Sequence, residues 1–400
     1  MNIKYSYNYI VGKYTCQLLS SVINDTEPPE LPENININHL YEYQLTQNVT
    51  NIAYVALERL SPSLNLKEYQ LDYKFNILRE ARFEIAGQEI YSTFEKEEIH
   101  FLPLKGAILK SYYPKPSLRT FTDTDIYVGE NFDKAEKVLL GLGFEKLVDT
   151  NNNDVSYVKK PSLHIELHKE LFPADYAFNG YFSNPYKHTI IKEGYEYFHL
   201  YYDDDFFIYV FCHLYKHYTY GGCGLRQFLD IYVMLQKFSL NMEYIRSELN
   251  SIGLEGFLDT TLKLTGYLFD NDEPSAELME IAEFVFSNGT FGNADNRLVL
   301  DYDKAHGKKR TLWGNIKYFM ERWGLNYSQM KWRYKVLNYL PFLLPFCWLF
   351  RLITALLFRR DVIKASVDDV GKMNSEFSDY INHIMDISNA NVGDTNKTKD

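Results

Sequence analysis

The residues with the clearest capacity for chemistry lie between Leu104 and Val128, in the stretch LKGAILKSYYPKPSLRTFTDTDIYV. Asp123 and Asp125 are two positions apart, so in an extended strand their side chains leave the same face. Two adjacent carboxylates repel each other unless a cation lies between them. Mg²⁺ binds in proteins through one or two carboxylates together with substrate phosphates. The pair is therefore a candidate magnesium site.

A third carboxylate follows in the segment LHIELH, where strand alternation places His164, Glu166 and His168 on one face. If this strand lies beside the strand that carries Asp123 and Asp125, Glu166 reaches the same site. Three carboxylates on adjacent strands can hold two metal ions about 4 Å apart, an arrangement that supports in-line phosphoryl or nucleotidyl transfer. We therefore predict a catalytic metal centre of Asp123, Asp125 and Glu166 that takes Mg²⁺ (or Mn²⁺).

The elements that position these residues follow from the sequence pattern. The first hundred residues predict helices, and Lys67 to Glu97 carries mixed charge on a helical apolar period. Strand and helix patterns then alternate in a module of roughly 80 residues, typical of an α/β unit. Beyond Tyr201 the pattern is helical again. The alternating segments are strands at 99–104, 123–128, 155–160 and 163–171 and helices at 105–113 and 132–144.

Together these residues resemble the uncharacterised nucleotidyltransferase family of the DNA polymerase β-like superfamily, from about residue 10 to about residue 360. The resemblance implies an α+β fold, in which a polymerase β-like nucleotidyltransferase core (a small mixed sheet with helices) is embedded in a mostly helical chain. The matching motifs are Leu-Lys-Gly at 104–106, Tyr-Pro at 113–114, Arg119, D-x-D-I-x-V at 123–128, I-E-L-H at 165–168, His213-x-x-x-His217, and GGCGLR at 221–226 followed by Asp230.

The resemblance implies Mg²⁺-dependent transfer of a nucleotidyl group from an NTP to a hydroxyl or phosphate acceptor. Lys105, Gly106 and Arg119 would hold the triphosphate, although Arg119 could instead pair with Asp123 or Asp125. The wider superfamily has a Gly-Ser turn where this chain has Lys105-Gly106-Ala107, so we expect Lys105 to meet a phosphate as a point charge. The missing hydroxyl motivates the alternative, a binding or regulatory protein that keeps the fold without catalysis.

A second cluster lies between His213 and Asp230. His213 and His217 are four positions apart and share a helix face, but zinc is not expected because the H-E-x-x-H glutamate and a third ligand are missing. A glycine-rich turn at 221–224 precedes Arg226. Arg226 and Asp230 could form an ion pair that locks two helices. We favour the other reading, in which His217, Arg226 and the glycine turn close over the nucleotide or the acceptor.

Composition and charge set the broad class. The 400 residues are 46% hydrophobic and 24% charged, which is ordinary for a globular protein of two or three domains. The four cysteines show no C-x-x-C spacing, and the N-terminus lacks the apolar core of a signal peptide, so we expect a reducing, cytoplasmic location. The net charge of −11 and the lack of a recognition motif argue against nucleic acid as a partner.

The C-terminal region carries the opposite charge. Between Lys304 and Lys364 there are 13 Lys/Arg and two acidic residues, a net charge of +11, and all four tryptophans fall there. Within it, 18 of the 23 residues from Val336 to Phe358 are apolar. Three arrangements are open: a buried hairpin, contact with the inner face of a membrane, and a membrane span. A span is disfavoured by Pro341, Pro345 and Arg351.

We therefore expect an α/β core between two helical regions, acting on an NTP and an acceptor that the sequence does not identify, with the oligomeric state left open. The predicted domains are an N-terminal helical region (1–97), the nucleotidyltransferase core (98–200), a helical closing domain (201–300), a basic, Trp-bearing helical segment (301–378) and a polar, frayed tail (379–400).

Overall fold

The computed structural model describes residues 6–60, 64–147, 154–307, 330–331, 333–358 and 375–390. Within these ranges the chain forms a five-stranded mixed sheet and a two-stranded sheet among many helices. The expectation of a small mixed sheet in a mostly helical chain is therefore confirmed.

Four helices precede the main sheet. Ser6 caps the first of them by accepting a hydrogen bond from the Tyr9 amide, which would otherwise have no partner within the helix. The long helix predicted from Lys67 to Glu97 is confirmed as the fourth. The four are α1 Tyr7–Ile23, α2 Ile37–Thr46, α3 Thr50–Leu60 and α4 Lys67–Lys96.

The main sheet has the order β1-β2-β5-β4-β3, in which β2 and β5 are parallel and the other neighbours antiparallel. The helix predicted at 105–113 is shorter than expected and ends in a 3₁₀ turn, Lys110–Tyr112, because Tyr113 precedes a proline and avoids the helical conformation. The elements are β1 Leu102–Pro103, α5 Gly106–Leu109, β2 Thr124–Tyr127, α6 Phe132–Gly141, β3 Glu145–Lys146, β4 Asp154–Lys159 and β5 Leu163–His168.

One face of this sheet packs on α4 and α6 and forms a hydrophobic core. Ile126 and Ile165 from the two parallel strands are buried there against Phe94 of α4. Because side chains alternate between the two faces of a strand, Asp125 and Glu166 leave the opposite face. The sheet therefore presents its polar face away from this core.

The second half is mainly helical and shares one core with the N-terminal helices. Leu18 and Leu57 from α1 and α3 are buried in the same cluster as Phe207 and Leu258 from the later helices. Helices α1 and α3 of the predicted region 1–97 thus share one helical core (the helical body) with the helices of 201–300, whereas the C-terminal part of α4 packs on the sheet. The later elements are β6 Thr189–Ile191, β7 His199–Tyr201, α7 Asp203–Gly221, α8 Leu225–Lys237, α9 Met242–Ser251, α10 Glu255–Thr265, α11 Ala276–Ser287 and α12 Ala294–His306.

Among the described residues after α12 there are two further α-helices, α13 Leu344–Phe358 and α14 Ser375–Ile387. The predicted frayed tail is wrong for residues 379–390, because Ile381, Ile384 and Met385 form one apolar face of α14 that is buried in the helical core. Residues 391–400 lie outside the described residues, as do Trp313, Trp323 and Trp332 of the basic segment.

The apolar stretch at 336–358 is not a buried hairpin. Tyr339, Phe342, Phe346 and Phe350 are all more than half exposed. Among the residues that the structure describes, no helix has both the length and the apolar character needed to cross a membrane.

Candidate active site

The acidic residues meet where the two parallel strands run side by side. Asp125 on β2 lies opposite Glu166 on β5 in the register of the sheet. Asp123 precedes β2 and shares the face of Asp125 because it is two residues away. The predicted adjacency of these strands is confirmed. It brings three carboxylates from segments about forty residues apart to one place.

Two groups of side chains have the geometry of metal ligands. One donor atom each from Asp123, His164 and Glu166 lie within 4.8 Å of one another, and so do donor atoms of Asp125, Glu166 and His168. The Nε2 atom of His164 is buried without a hydrogen-bond partner among the described residues. Carboxylates favour Mg²⁺ and Mn²⁺. The residues present therefore fit a divalent cation, with Glu166 common to both groups.

Asp125 is the most firmly held of the three carboxylates. Its Oδ1 accepts hydrogen bonds from Lys105 Nζ at 2.7 Å and His168 Nε2 at 2.8 Å. Burial alone would raise the pKa of the Asp125 carboxyl, but Lys105 and His168 together hold that pKa well below its usual range. The Asp125 carboxyl is therefore ionised at neutral pH in the metal-free protein.

The ionised forms of Asp123 and Glu166 are less stable than that of Asp125. Burial and the charge of Asp125 raise the pKa of Asp123, with Lys105 acting in the opposite direction. Burial, followed by the charges of Asp125 and Asp123, raises the pKa of Glu166 to about 8. A divalent cation bound here would offset the repulsion between the carboxylates. Clustered carboxyls with raised pKa values are typical of candidate functional sites.

The raised pKa of Glu166 predicts a pH-dependent stability. The folded protein binds the Glu166 proton more tightly than the unfolded chain, so metal-free wild type should lose stability as pH rises from about 4.5 towards about 8. Glu166→Gln should abolish up to about 5 kcal/mol of this loss of stability, because the proton affinity differs by about 3.5 powers of ten and each is worth about 1.4 kcal/mol. The measurement is urea unfolding in EDTA at a series of pH values. If the unfolding free energies of wild type and Glu166→Gln changed with pH in parallel, the raised pKa of Glu166 would be contradicted.

The Lys105-Gly106 turn is shaped by close packing. Lys105 has a positive φ of +42°, a strained conformation for a residue with a side chain. A Cβ added at Gly106 would lie 2.7 Å from Arg119 Nη1 and 3.2 Å from Phe121 Cβ. Gly106 therefore leaves the space beside this turn that the Arg119 guanidinium and the Phe121 side chain occupy.

Arg119 makes a buried ion pair with a residue of the helical body. Its Nε and Nη2 donate to the two carboxylate oxygens of Asp230 at 2.7 and 2.8 Å, and Tyr113 Oη donates to the same carboxylate. The partner of Arg119 is thus Asp230 rather than Asp123 or Asp125. The predicted alternative in which Arg226 and Asp230 pair is replaced by this bidentate contact, which joins the loop before β2 to α8.

The helical body supplies the opposite wall. His213 and His217 on α7 lie with their Nε2 atoms 2.9 Å apart, and burial lowers the pKa of His217 to about 3, so it is neutral at pH 7. Arg226 on α8 donates to the Thr120 carbonyl oxygen, while its Nε is buried with no partner among the described residues. This wall thus offers neutral imidazoles and one incompletely satisfied guanidinium.

The glycine-rich turn at 221–224 is not part of this wall. Gly222 has a φ of +81°, and a Cβ added there would meet the Asn288 side chain at 2.5 Å. The Leu225 amide donates to Gln47 Oε1. The expectation that this turn closes over a ligand is therefore wrong, because its backbone is occupied by packing against Gln47 and Asn288.

The two walls enclose a cleft of about 1530 Å³. All the predicted site residues line it, namely Lys105, Gly106, Arg119, Asp123, Asp125, Glu166, His217 and Arg226. Reasoning from sequence missed Lys216, which also lines the cleft and whose pKa is lowered by burial and then by the charge of Lys105. Its position three residues after His213 was the available signal, because residues at that spacing share a helix face.

Comparison with known proteins agrees with this geometry. No curated protein and no solved structure matches the chain significantly. A family profile described as uncharacterised nucleotidyltransferase matches residues 33–270, which is more than half of the 400 residues and includes the three carboxylates and every other predicted site residue. The chain therefore belongs to the uncharacterised nucleotidyltransferase family.

Proposed function

We propose that this protein is an Mg²⁺-dependent nucleotidyltransferase that moves a nucleotidyl group from an NTP to a hydroxyl or phosphate acceptor. The observation that carries the proposal is that Asp125 lies opposite Glu166 on two parallel strands, with Asp123 directly before the first of them, and that all three carboxylates line the cleft. A mixed sheet whose acidic pair lies at the start of one strand and whose third carboxylate lies on its parallel neighbour also supports a polymerase β-like core.

The carboxylates are assigned as ligands for Mg²⁺ (or Mn²⁺), with Asp125 as the permanently ionised member. A metal bound there would orient the triphosphate and lower the pKa of the acceptor hydroxyl. Glu166, whose pKa is raised to about 8 in the metal-free protein, is assigned to complete the metal site and, once a bound cation has ionised it, to accept a proton from the acceptor.

Cations reach the cleft from both walls. Lys105 stands beside Asp125 on the sheet side, and Arg226 and Lys216 lie on the helical side. Ammonium and guanidinium groups stabilise phosphate charge. His217 is neutral, so its role is a hydrogen bond to substrate rather than a charge. Arg119 has Nε and Nη2 committed to Asp230, which leaves Nη1, next to Gly106, as its means of meeting a phosphate.

The size of the cleft suits two substrates. Single-ligand pockets are usually about 300–1,000 Å³, and this cleft is about 1530 Å³.

All four cysteines are free thiols, three of them buried, which supports a reducing, cytoplasmic location.

One observation favours an alternative, a nucleotide-binding protein without catalysis. The Lys105 ammonium lies 2.7 Å from Asp125 Oδ1 and already neutralises that carboxylate, while Ala107 stands where a serine hydroxyl would be expected from the superfamily. In this alternative the lysine takes the electrostatic place of a metal, and nucleotide binding needs no divalent ion.

Titration of the four NTPs by calorimetry, with and without Mg²⁺, separates the two functions. A transferase should bind one or more NTPs at least about tenfold more tightly with Mg²⁺, and Asp123→Asn should lose this gain. Asp154→Asn removes a charge from the same cleft outside the ligand groups and serves as the matched control. NTP binding that is indifferent to Mg²⁺ would favour the non-catalytic alternative, and no binding would reject both.

A further inference from the structure

The segment from Arg333 to Phe358, the apolar C-terminal element, presents a large apolar surface to solvent. Two 3₁₀ turns, Lys335–Asn338 and Pro341–Leu343, lead into α13. Large apolar side chains along it are exposed, with Tyr339 83% and Phe342 69% exposed. The others are Val336, Leu340, Phe346, Trp348, Leu349 and Phe350.

Such a surface marks a site of interaction. Monomeric soluble proteins rarely expose contiguous apolar patches beyond a few hundred Å², and one large aromatic side chain alone buries roughly 150–250 Å². On α13, Phe346, Leu349 and Phe350 share one face because they are three and four residues apart. Among the described elements, α13 packs mainly against the 3₁₀ turn Pro341–Leu343 that precedes it.

The charge of the element selects the partner. Lys331, Arg333 and Lys335 are exposed immediately before the apolar surface, Arg351 lies within it, and no acidic residue occurs between 330 and 358. A second copy joined through the same element would bring these positive charges together. An anionic lipid surface would instead satisfy the basic groups and the apolar face at once.

Tryptophan and tyrosine fit the boundary region of a bilayer. Trp348 and Tyr339 have an apolar ring and a polar atom, the combination enriched where lipid headgroups meet acyl chains. α13 has 15 residues, a length of about 22 Å at 1.5 Å per residue, against a hydrocarbon thickness of about 30 Å. A charged residue such as Arg351 near the centre of the helix is costly in the hydrocarbon core, which favours a helix that lies in the plane of the interface.

We propose that the apolar C-terminal element docks this protein onto the surface of an anionic lipid bilayer, with Phe346, Leu349 and Phe350 entering the interface and Arg333 and Lys335 meeting the headgroups. This inference does not depend on the proposed transferase activity, since none of these residues lines the cleft.

The test is flotation of the full-length protein with vesicles of phosphatidylcholine alone or with about 30% phosphatidylserine. Wild type should float with the anionic vesicles, and raised salt should weaken the association. The double variant Phe346→Ser/Phe350→Ser should bind them at least about tenfold less. The matched control is Phe75→Ser/Leu78→Ser on α4, where the side chains are similarly exposed, 51% and 59%, and it should float as wild type does.

Two outcomes would overturn the proposal. One is failure of wild type to float, or equal flotation of wild type and the Phe346→Ser/Phe350→Ser variant. The other is a stable dimer by light scattering that this variant dissociates, without binding to vesicles, which would identify a second copy as the partner. Urea unfolding of the variant, expected to match wild type, shows that its fold is intact without relying on NTP binding, and so keeps this result separate from the test of the transferase.

Discussion

Asp123→Asn should reduce Mg²⁺-dependent turnover by at least about 10³-fold, close to 4 kcal/mol of transition-state stabilisation, while the metal-free protein stays as stable as wild type or becomes more stable. The reason is the position of Asp123, a carboxylate whose pKa is raised by burial and by the charge of Asp125. Removing its charge relieves repulsion. Turnover is measured as pyrophosphate released from the NTP that binds, with a small-molecule extract as the acceptor pool, and stability by urea unfolding in EDTA.

Asp125→Asn is the informative contrast. Asp125 accepts from both Lys105 and His168, so its loss as an anion leaves a buried ammonium without its counter-charge. We expect the same loss of turnover together with a destabilisation of about 2–4 kcal/mol. If Asp123→Asn and Asp125→Asn were equally stable, the inference that Asp125 is the better stabilised anion of the two would be wrong. A stable, active Asp123→Asn protein would remove the metal mechanism altogether.

Removal of Arg119 or Asp230 should cost about 3–5 kcal/mol of unfolding free energy, because each substitution leaves the other charge buried and unpaired. Both side chains are only 6% exposed, and the contact is bidentate. Arg119→Ala and Asp230→Ala together should cost less than the sum of the single variants. Arg119→Lys should not restore stability, because an ammonium cannot reproduce the two parallel hydrogen bonds. The measurement is urea unfolding of wild type and of these four variants.

The control for this cycle is Arg246→Ala. Arg246 pairs with Asp259 at 2.6 Å, but the two side chains are 38% and 46% exposed, so the loss should stay below about 1 kcal/mol. If Arg119→Ala were as mild as Arg246→Ala, the buried pair would not be what holds α8 to the loop before β2. NTP titration of Arg119→Lys then reports whether Nη1 contributes to phosphate binding.

The Arg119–Asp230 pair also connects the two walls of the cleft. Arg119 lies between α5 and β2, on the side of the carboxylates, and Asp230 is on α8 one turn after Arg226. Because Gly106 packs against Arg119 Nη1, a shift of α8 would be transmitted to the Lys105-Gly106 turn. This contact therefore links the side of the cleft that carries the carboxylates to the helical wall that carries Arg226.

The sequence by itself determined the features that depend on neighbouring residues. The spacing of Asp123 and Asp125 placed them on one face of a strand, and the alternation in LHIELH did the same for Glu166. The periodicity of 67–97 identified α4 to within one residue at its end. These inferences succeeded because backbone geometry alone sets the periods of strands and helices. The family resemblance then suggested which side chains share a site.

Only the tertiary structure decided which distant residues meet. The parallel pairing of β2 with β5, the choice of Asp230 rather than Asp123 as the partner of Arg119, and the packing of the glycine turn against Gln47 all join segments far apart in the chain. The packing of α14 is also decided by the tertiary structure. Its sequence is mostly polar, and its narrow apolar face is buried against the helical core. Local periodicity cannot settle such choices, because they depend on which surfaces remain to be buried once every element is in place.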